Sequence, residues 1–278
     1  GHVLIEGVPG VAKTLLARLT ARLIDADFSR VQFTPDLMPS DVLGTTVFNM
    51  KTNGFDFHQG PIFADIVLVD EINRAPAKTQ AALFEVMEER QISIDGTTHR
   101  MGDLYTILAT QNPVEQEGTY KLPEAQLDRF LMKITMDYPS LEEEVNILER
   151  HHTNAALVKL DDIVPAITKE ELLSLRAFMN QVFVDRTLLQ YIALIVQQTR
   201  TSKAVYLGAS PRASVAMLQS SKAYALLQGR DFVTPEDIKF VAPYVLQHRL
   251  ILTAEAEMEG YSPVKVTQRL IDKVEVPK

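Results

Sequence analysis

The sequence predicts an α/β domain built on a parallel sheet, followed by a smaller all-α domain. Up to about Tyr138, short apolar runs rich in β-branched residues alternate with helical patterns, which is typical of a sheet covered by helices on both faces. After Pro139 these runs end and helix-start signals follow one another. A chain of 278 residues is also long for one domain. We therefore expect residues 1–138 to form the α/β domain and residues 139–278 the helical domain.

The composition excludes several classes of protein. The absence of cysteine excludes disulfides, thiolate zinc sites and a cysteine nucleophile. With 28 basic and 36 acidic side chains the net charge is -8, which disfavours a broadly basic nucleic-acid surface. The apolar runs are far shorter than the ~20 residues of a membrane-spanning helix, and nothing resembles a signal peptide. We expect a cytoplasmic protein without a membrane span.

The first strand–helix junction has a sequence typical of phosphate-binding loops. HVLIE reads as a strand, KTLLARLTARLI as an amphipathic helix, and GVPGVAKT at residues 7–14 joins them. The usual pattern has a glycine before the lysine, whereas this chain has Ala12. A left-handed backbone at Ala12 would cost about 1–2 kcal/mol and a right-handed one would favour the helix, and the sequence leaves both open. Because Gly1 is not a methionine and the strand begins almost at once, we expect a further segment upstream.

This loop predicts a nucleotide site. Backbone N–H groups at a helix N-terminus face bound phosphates, the lysine reaches the β- and γ-phosphate oxygens, and the following hydroxyl holds Mg²⁺. Lys13 and Thr14 are the residues suited to these two tasks. A chance match in a glycine-rich turn is the alternative. The predicted nucleotide-binding residues are Gly7, Val8, Pro9, Gly10, Val11, Ala12, Lys13, Thr14 and Leu15.

Two predicted β-hairpins interrupt the strand–helix alternation. VFNM and FDFH flank a turn at Asn53-Gly54, and QISI and TTHRM flank a turn at Asp95-Gly96. Both hairpins read as insertions, either surface decoration or functional arms. Phe55 and Phe57 share one face of their strand, so they either pack inward or present a client-binding surface.

Polar side chains end two of the predicted strands. The apolar run IVLV at residues 66–69, typical of a buried central strand, ends in Asp70 and Glu71, and ILAT is followed by Gln111-Asn112. Ligands of open α/β sheets bind at the carboxyl ends of the strands. We predict that Asp70 holds Mg²⁺, directly or through a water, and that Glu71 takes the proton of an attacking water. The amides either orient water and sense the γ-phosphate or form a turn, and a solvated acidic pair is the alternative for the two carboxylates.

Capping signals mark the helical domain. Capping boxes are predicted at Ser140 with Glu143, Thr168 with Glu171, and Thr234 with Asp237. Another cap, Ser210-Pro211, places Arg212 in the first turn of a helix. A cation there opposes the helix dipole by about 0.3–1 kcal/mol, which a nearby phosphate would offset. An exposed arginine in a surface pair is the alternative.

Taken together, these residues resemble the MoxR family of AAA+ ATPases. The segments that carry the resemblance are GVPGVAKT, RVQFTPDLMPSDVLG, IVLVDEINRAPAKTQAALFEVMEE, ILATQNPVEQEGTYKLPEAQLDRF and GASPRA. The resemblance runs from Gly1 to at least Ile238. It implies a P-loop AAA+ αβα core, two β-hairpin insertions, a helical lid and a ring, commonly hexameric, that binds ATP between subunits. Relatives in this family also use alanine at the position of Ala12, so that residue does not indicate an inactive site.

The resemblance also implies a role for each candidate residue of the first domain. Lys13 and Thr14 match the Walker A motif, and Asp70 and Glu71 match Walker B. Asn112 matches the polar sensor-1 residue.

Two arginines match AAA+ residues that act beyond the core. Arg129, in LDRF, matches the arginine finger that reaches the γ-phosphate of the neighbouring subunit, and such a residue contributes about 10³–10⁵ in rate in related reactions. Arg212, in GASPRA, matches the sensor-2 arginine of the lid. From the residues alone, Arg129 reads as an ion-pair partner of Asp128 or Glu124.

We therefore expect Mg²⁺-dependent ATP hydrolysis that drives motion of the lid against the core. The resemblance implies chaperone-like remodelling, maturation or activation of partner proteins, often proteins with a von Willebrand factor A domain. Two other functions stay open. One is a nucleic-acid-associated AAA+ motor, since hairpin insertions also occur in helicase-type relatives, and the other is a nucleotide-binding scaffold without turnover, for which Ala12 is the argument.

Overall fold

The computed structural model describes residues 1–112, 120–153 and 160–276. The chain divides into two compact units, Gly1–Leu122 with Ile134–Leu173, and Pro123–Lys133 with Ser174–Lys278. By contact, the helix that begins at Leu141 belongs to the first unit, although the sequence places it beyond the boundary after Tyr138. The assignment of residues 1–138 to an ATPase core and 139–278 to a lid stays a prediction.

The strands and helices follow the order along the chain. The strands are β1 (Val3–Gly7), β2 (Phe28–Gln32), β3 (Gly44–Asn49), β4 (Gly54–Gln59), β5 (Ile66–Asp70), β6 (Gln91–Ile94), β7 (Thr97–Arg100), β8 (Thr106–Gln111), β9 (Met132–Met136), β10 (Val205–Leu207) and β11 (Ile251–Leu252). The helices are α1 (Lys13–Leu23), α2 (Pro39–Leu43), α3 (Ala77–Glu89), α4 (Glu124–Leu127), α5 (Leu141–His152), α6 (Lys169–Met179), α7 (Arg186–Thr201), α8 (Pro211–Leu227), α9 (Pro235–Leu246), α10 (Ala254–Met258) and α11 (Pro263–Lys273). Two 3-10 turns lie at Ile72–Arg74 and Leu160–Asp162.

The first unit is organised around a five-stranded sheet with the order β2-β5-β8-β1-β9. The pairs β1–β8, β2–β5 and β5–β8 are parallel, which confirms the predicted parallel sheet. Every residue of β5 is buried, as the unbroken apolar run predicts. Ile5, Leu68 and Leu108 of the sheet form one buried cluster with Ala17 and Ala21 of α1. Because four strands run in parallel, β1, β2, β5 and β8 bring their carboxyl ends to one edge, where the candidate site lies.

Both predicted hairpins are present, and both lie outside the five-stranded sheet. β3 pairs with β4 and β6 pairs with β7, in antiparallel registers. The turn residues Asn53 and Asp95 have φ of 50° and 48°, in the left-handed region that asparagine and aspartate tolerate. Local turn chemistry therefore suffices to place these hairpins.

The two hairpins touch each other. The Thr46 hydroxyl of β3 donates to a carboxylate oxygen of Asp95 at 2.5 Å, and the ring centroids of Phe57 and His99 are 4.4 Å apart. Phe55, in contrast, is 73% exposed. Of the two phenylalanines that share a strand face, Phe57 therefore packs against the other hairpin while Phe55 faces solvent.

The second unit is mainly helical, with a core shared by α7, α8, α9 and α11. Ile195, Met217 and Ile238 of this core are fully buried. The strands β10 and β11 form a short antiparallel sheet beside these helices, which the prediction of an all-α domain missed. Two- and three-residue strands carry too little periodicity to be detected in a sequence.

The three predicted capping boxes are present. At Ser140, Thr168 and Thr234 the backbone N–H of the cap residue donates to the acidic side chain three residues later. In the described part of the chain, none of the helices is long and apolar enough to cross a membrane.

Candidate active site

The backbone at Ala12 is left-handed. Its φ of 57° and ψ of 28° make it the N-cap of α1, and the Leu16 N–H donates to its carbonyl at 3.0 Å. Of the two conformations left open by the sequence, the chain adopts the strained one, at about 1–2 kcal/mol for an L-residue. Alanine is therefore tolerated at a position that glycine would occupy without strain.

The two glycines of the loop meet different requirements. A Cβ on Gly7 would lie 2.7 Å from the carbonyl oxygen of Met136, so the close approach of β9 excludes a side chain there. Gly10 has φ of 87°, which favours glycine. The Lys13 ammonium donates to the Gly7 carbonyl at 2.6 Å, so its side chain folds back to the first residue of the loop.

The N-terminus of α1 is suited to an anion. The first N–H groups of a helix have no partner within the helix, and they carry the positive end of the helix dipole. Among the described residues no side chain caps this end by a hydrogen bond, and the first turn of α1 has no acidic residue. With Lys13 and Thr14 as its first two residues, this end of the helix can bind phosphate oxygens.

Asp70 is buried at the carboxyl end of β5, with 7% of its surface exposed. One carboxylate oxygen accepts from Nε of Arg30 at 2.7 Å, and the other accepts from the Thr110 hydroxyl at 3.0 Å. β5 is separated from β1 by β8 alone, so about 10 Å, two strand spacings, lies between Asp70 and the end of the strand that enters the loop.

Glu71 has a different environment from its neighbour. Its backbone is left-handed, with φ of 56°, and its N–H donates to the Thr110 hydroxyl at 3.0 Å. The carboxylate accepts from Nε2 of Gln32 at 2.8 Å and from Nε of Arg74 at 3.0 Å. The two adjacent carboxylates therefore have separate partners, and the Thr110 hydroxyl binds the carboxylate of Asp70 and the backbone N–H of Glu71.

Asn112 is buried and directly follows β8, next to the strand that ends in Asp70. The structure thus brings it to the same edge as the two acids and the loop. Residues 113–119, part of the segment that carries the resemblance, lie outside the described residues. The role of Asn112 in orienting water stays a prediction.

Arg129 and Arg212 belong to the second unit. Arg129 is partly buried, and the preceding Asp128 binds Nε of Arg249 at 2.7 Å. Arg212 is exposed in the first turn of α8, and its N–H donates to the Ser210 hydroxyl at 3.1 Å, which confirms the predicted cap.

A cavity of about 630 Å³ lies beside the loop, within the first unit. One wall is the loop at Gly10–Ala12, and the other comprises Met136–Pro139 and the face of α5 that carries Glu143, Asn146, Ile147 and Arg150. Val11, Tyr138 and Ile147 give this cavity apolar surface, and Asn146 contributes an amide. Its volume is in the range of small-molecule sites.

Sequence reasoning missed three residues of this site. Arg30 binds Asp70, Gln32 binds Glu71, and Thr110 contacts both acids. All three lie within the segments that carry the family resemblance, but the sequence predicts no role for any of them. Gln32 ends β2 as Asp70 ends β5, and the two residues are partners in the parallel register. A strand-end rule applied to β2 would have found Gln32, whereas Arg30 and Thr110 need the register itself.

The fold and the loop define an AAA+ protein, and family comparisons agree. The model described as "ATPase family associated with various cellular activities" matches residues 2–132, and the AAA lid domain model matches residues 197–272. The crystal structure of a candidate ATPase from Cytophaga hutchinsonii, 42% identical, matches with a TM-score of 0.90 over all of this chain and 86% of its own.

Whole-chain relatives narrow the class to one family. Chaperone MoxR1 of Mycobacterium tuberculosis is 45% identical, over all of this chain and 75% of its own length. Protein MoxR of Methylorubrum extorquens is 30% identical, over 93% and 81%. Uncharacterized protein YeaC of Bacillus subtilis is 48% identical, over 100% and 86%. The chain belongs to the MoxR family of AAA+ ATPases, and the family implies nucleotide binding.

Proposed function

We propose that this chain hydrolyses ATP in a Mg²⁺-dependent reaction and uses the energy for chaperone-like remodelling, maturation or activation of partner proteins. The observation that carries the proposal is the meeting of an uncapped helix N-terminus and two separately held carboxylates at one sheet edge. A phosphate-binding end and a metal-binding acid are what phosphoryl transfer to water requires, together with a base.

Phosphate binding falls to the loop. The N–H groups of residues 7–15 surround the phosphate oxygens, and the Lys13 ammonium exchanges the Gly7 carbonyl for the β- and γ-phosphates. The Thr14 hydroxyl and Asp70, directly or through water, would hold Mg²⁺, because oxygen ligands suit this hard cation. Bound Mg²⁺ neutralises charge that develops on the phosphates.

Glu71 is the general base. Its carboxylate is half-buried and accepts N–H groups from Gln32 and Arg74, which hold it at the sheet edge where the attacking water would bind. It takes the proton from the water that attacks the γ-phosphorus as the bond to the β–γ bridging oxygen breaks. Asn112, on the next strand end, orients that water.

The cavity beside the loop receives the nucleotide base. It is adjacent to Gly10–Ala12, and an aromatic base fits between the apolar side chains of Val11, Tyr138 and Ile147. This assignment adds Met136–Pro139 and the start of α5 to the nucleotide site.

Arg129 and Arg212 complete the reaction across a ring. Arg129 stabilises the transition-state charge at the γ-phosphate of a neighbouring subunit, and Arg212 binds phosphate from the lid. The active form is accordingly a homo-oligomer, which we propose to be a hexamer in the cytoplasm. The name of the Mycobacterium tuberculosis relative supports a chaperone role, and a client with a von Willebrand factor A domain is the partner class that we propose.

Mixed assembly tests this mechanism. Glu71→Gln and Arg129→Ala should each release phosphate at least about 10³-fold more slowly than the parent chain, while fluorescent ATP analogues still bind. A mixture of the two variants should recover turnover, because subunits with an intact Glu71 then stand next to subunits with an intact Arg129. A mixture of Glu71→Gln with Lys13→Ala is the matched control, and little recovery is expected because Lys13→Ala lacks the phosphate ligand in the site whose base is intact.

Other outcomes would change the assignment. No recovery in the first mixture would contradict the role of Arg129 in trans. ATP binding without phosphate release by the parent chain, even at high protein concentration, would identify a nucleotide-binding scaffold. Turnover that rises on addition of DNA and falls steeply with salt would identify a nucleic-acid motor.

A further inference from the structure

The backbone on both sides of Arg129 is bound by a buried arginine from a distant part of the chain. The side chain of Arg249 is 3% exposed, and its Nε donates to the carboxylate of Asp128 at 2.7 Å. One terminal nitrogen donates to the carbonyls of Asp128, at 3.2 Å, and Phe130, at 2.6 Å, and the other to the carbonyl of Leu131, at 3.2 Å. The planar guanidinium thus contacts the residue before Arg129 and the two residues after it.

The two residues before Arg249 contact the same segment. Nε2 of His248 donates to the Phe130 carbonyl at 3.1 Å, and Nε2 of Gln247 donates to the Lys133 carbonyl at 2.6 Å. Three consecutive side chains after α9 therefore hold the segment 128–133 by its carbonyls. Contacts with carbonyls restrict the backbone itself. They therefore restrict the direction in which the Arg129 side chain projects from the backbone.

Asp128 joins this contact to α8. Its second carboxylate oxygen accepts from the Ser210 hydroxyl at 2.7 Å, and that same hydroxyl accepts from the N–H of Arg212. Ser210 is the N-cap of the helix on which Arg212 lies. A continuous series of hydrogen bonds therefore connects the backbone at Arg129 with the helix end at Arg212, all within the second unit.

We propose that Arg249, together with Asp128, is a positioning residue for Arg129 that keeps it in a defined orientation to Arg212. The inference rests on the proposed roles of Arg129 and Arg212 in ATP hydrolysis. Stability alone is a weak reason for such a pair, because the desolvation of a buried guanidinium and a partly buried carboxylate offsets much of their attraction. A planar group with five N–H donors in fixed directions suits a task in which direction matters.

Arg249→Lys is the variant that separates position from charge. Lysine keeps the cation near Asp128 but lacks the fork that reaches the carbonyls around Arg129. We expect kcat for ATP to fall by about 10–100-fold, as for a catalytic group displaced by about 1 Å, with KM for ATP within about twofold. Arg230→Lys is the matched control. Arg230 pairs with the buried Asp237 in the same unit, and its kcat should stay within about twofold of the parent.

A double-mutant cycle tests whether Arg249 acts through Arg129. In an Arg129→Ala background, Arg249→Lys should cause no further loss of kcat beyond about twofold, because the group that it positions is absent. An equal fold loss in both backgrounds, or a kcat within twofold of the parent in the single variant, would overturn the proposal. If Arg129→Ala itself leaves turnover unchanged, the proposed function of Arg129 is wrong, whatever Arg249→Lys does.

A second variant covers the case in which Arg249→Lys does not fold. Asp128→Asn keeps the shape of the side chain while it removes the charge that orients the guanidinium and binds Ser210. It should lower kcat in the parent and leave it unchanged in Arg129→Ala, by the same logic. A loss of equal size in both backgrounds would assign the cluster a purely structural role.

Discussion

Two arginine–aspartate pairs in this chain share a bond length and differ in exposure. In the first unit Nε of Arg30 donates to Asp70, in the second Nε of Arg249 donates to Asp128, and both distances are 2.7 Å. The side chain of Arg30 is 51% exposed, whereas that of Arg249 is 3% exposed. Arg30 has one further side-chain contact, a longer one to Gln32, while Arg249 binds several backbone carbonyls.

The difference shows how one type of ion pair serves two purposes. An exposed guanidinium can rotate away at small cost, because water solvates it when it leaves. A buried guanidinium that leaves breaks several hydrogen bonds to carbonyls at once, which costs more free energy. We infer that Asp70 can exchange Arg30 for Mg²⁺, whereas Asp128 keeps Arg249 and the segment 128–133 stays in place.

The largest effect is expected when the carboxylate of the Arg30–Asp70 pair is removed. Asp70→Asn should lower kcat for ATP by about 10³-fold, because the carboxylate that supports Mg²⁺ is lost. Arg30→Gln should lower it by less than about 10-fold and should raise the apparent affinity for Mg²⁺, since the metal no longer competes with an arginine. ATPase assays across a Mg²⁺ titration, with an EDTA control, measure both. A greater loss of kcat with Arg30→Gln than with Asp70→Asn would contradict the exchange.

The next effect is the loss of unfolding free energy when each of the two arginines is replaced. Arg249→Met should destabilise the protein by about 3–5 kcal/mol, because it removes the buried cation that pairs with Asp128 and the donor of several hydrogen bonds to backbone carbonyls. Arg30→Met should cost only about 1 kcal/mol, since the side chain of Arg30 is 51% exposed and Asp70 keeps its hydrogen bond from Thr110. Urea unfolding followed by circular dichroism measures the difference. Equal losses would mean that exposure does not distinguish the pairs.

A smaller effect is the pH dependence of the free energy of unfolding, to which each unit contributes one buried histidine. Burial lowers the pKa of His2, in the first unit, to about 4, and burial together with the charge of Arg249 lowers the pKa of His248 to about 3. The ordinary pKa of histidine is 6.5. Below that pH these two rings are protonated in the unfolded chain, whereas in the folded chain they stay neutral until the pH reaches their lowered pKa values. Stability should therefore be complete above about pH 6.5 and fall as the pH falls towards 4.

Unfolding at several pH values checks this behaviour. His2→Gln should weaken the pH dependence, because it removes one buried ring that must stay neutral. His152→Gln, which changes an exposed residue of α5, is the control and should leave the profile unchanged. A profile that is equally steep in His2→Gln would exclude His2 as a source.

The smallest effect concerns the backbone of the phosphate-binding loop. Ala12→Gly should stabilise the first unit by about 1 kcal/mol or less, because glycine adopts the φ of 57° without strain but loses more conformational entropy than alanine on folding. Gly10→Ala, at φ of 87°, should have the opposite sign. Thermal unfolding with and without ATP measures both. If Ala12→Gly destabilises the protein and weakens ATP binding, the methyl group has a role beyond tolerance.

Much of the fold could be predicted because its signals are local. The hairpin at Asp95-Gly96 follows from two adjacent residues, and the cap at Ser210 from three. The central strand follows from an apolar run that ends at Asp70. The small sheet of β10 and β11 could not be found, because its strands contain three and two residues and are separated by more than 40 residues of chain.

The candidate site divides in the same way. Lys13, Asp70 and Glu71 can be recognised in the sequence. Lys13 follows a glycine-containing loop, and the two acids directly follow an apolar run that predicts a strand. Their partners Arg30 and Thr110 are not, because a contact between strands depends on the register, and a one-residue shift would turn each side chain to the opposite face.

By itself the sequence determined the family, the nucleotide loop, the acidic pair and the hairpins, since each depends on residues that are neighbours in the chain. The tertiary structure alone decided that Ala12 is left-handed, that Thr110 contacts both acids, and that Arg249 donates to the carbonyls around Arg129. These depend on strand register and on the burial of a charge 121 residues from its partner. Local patterns cannot specify them, because the free energy of such contacts comes from groups that only folding brings together.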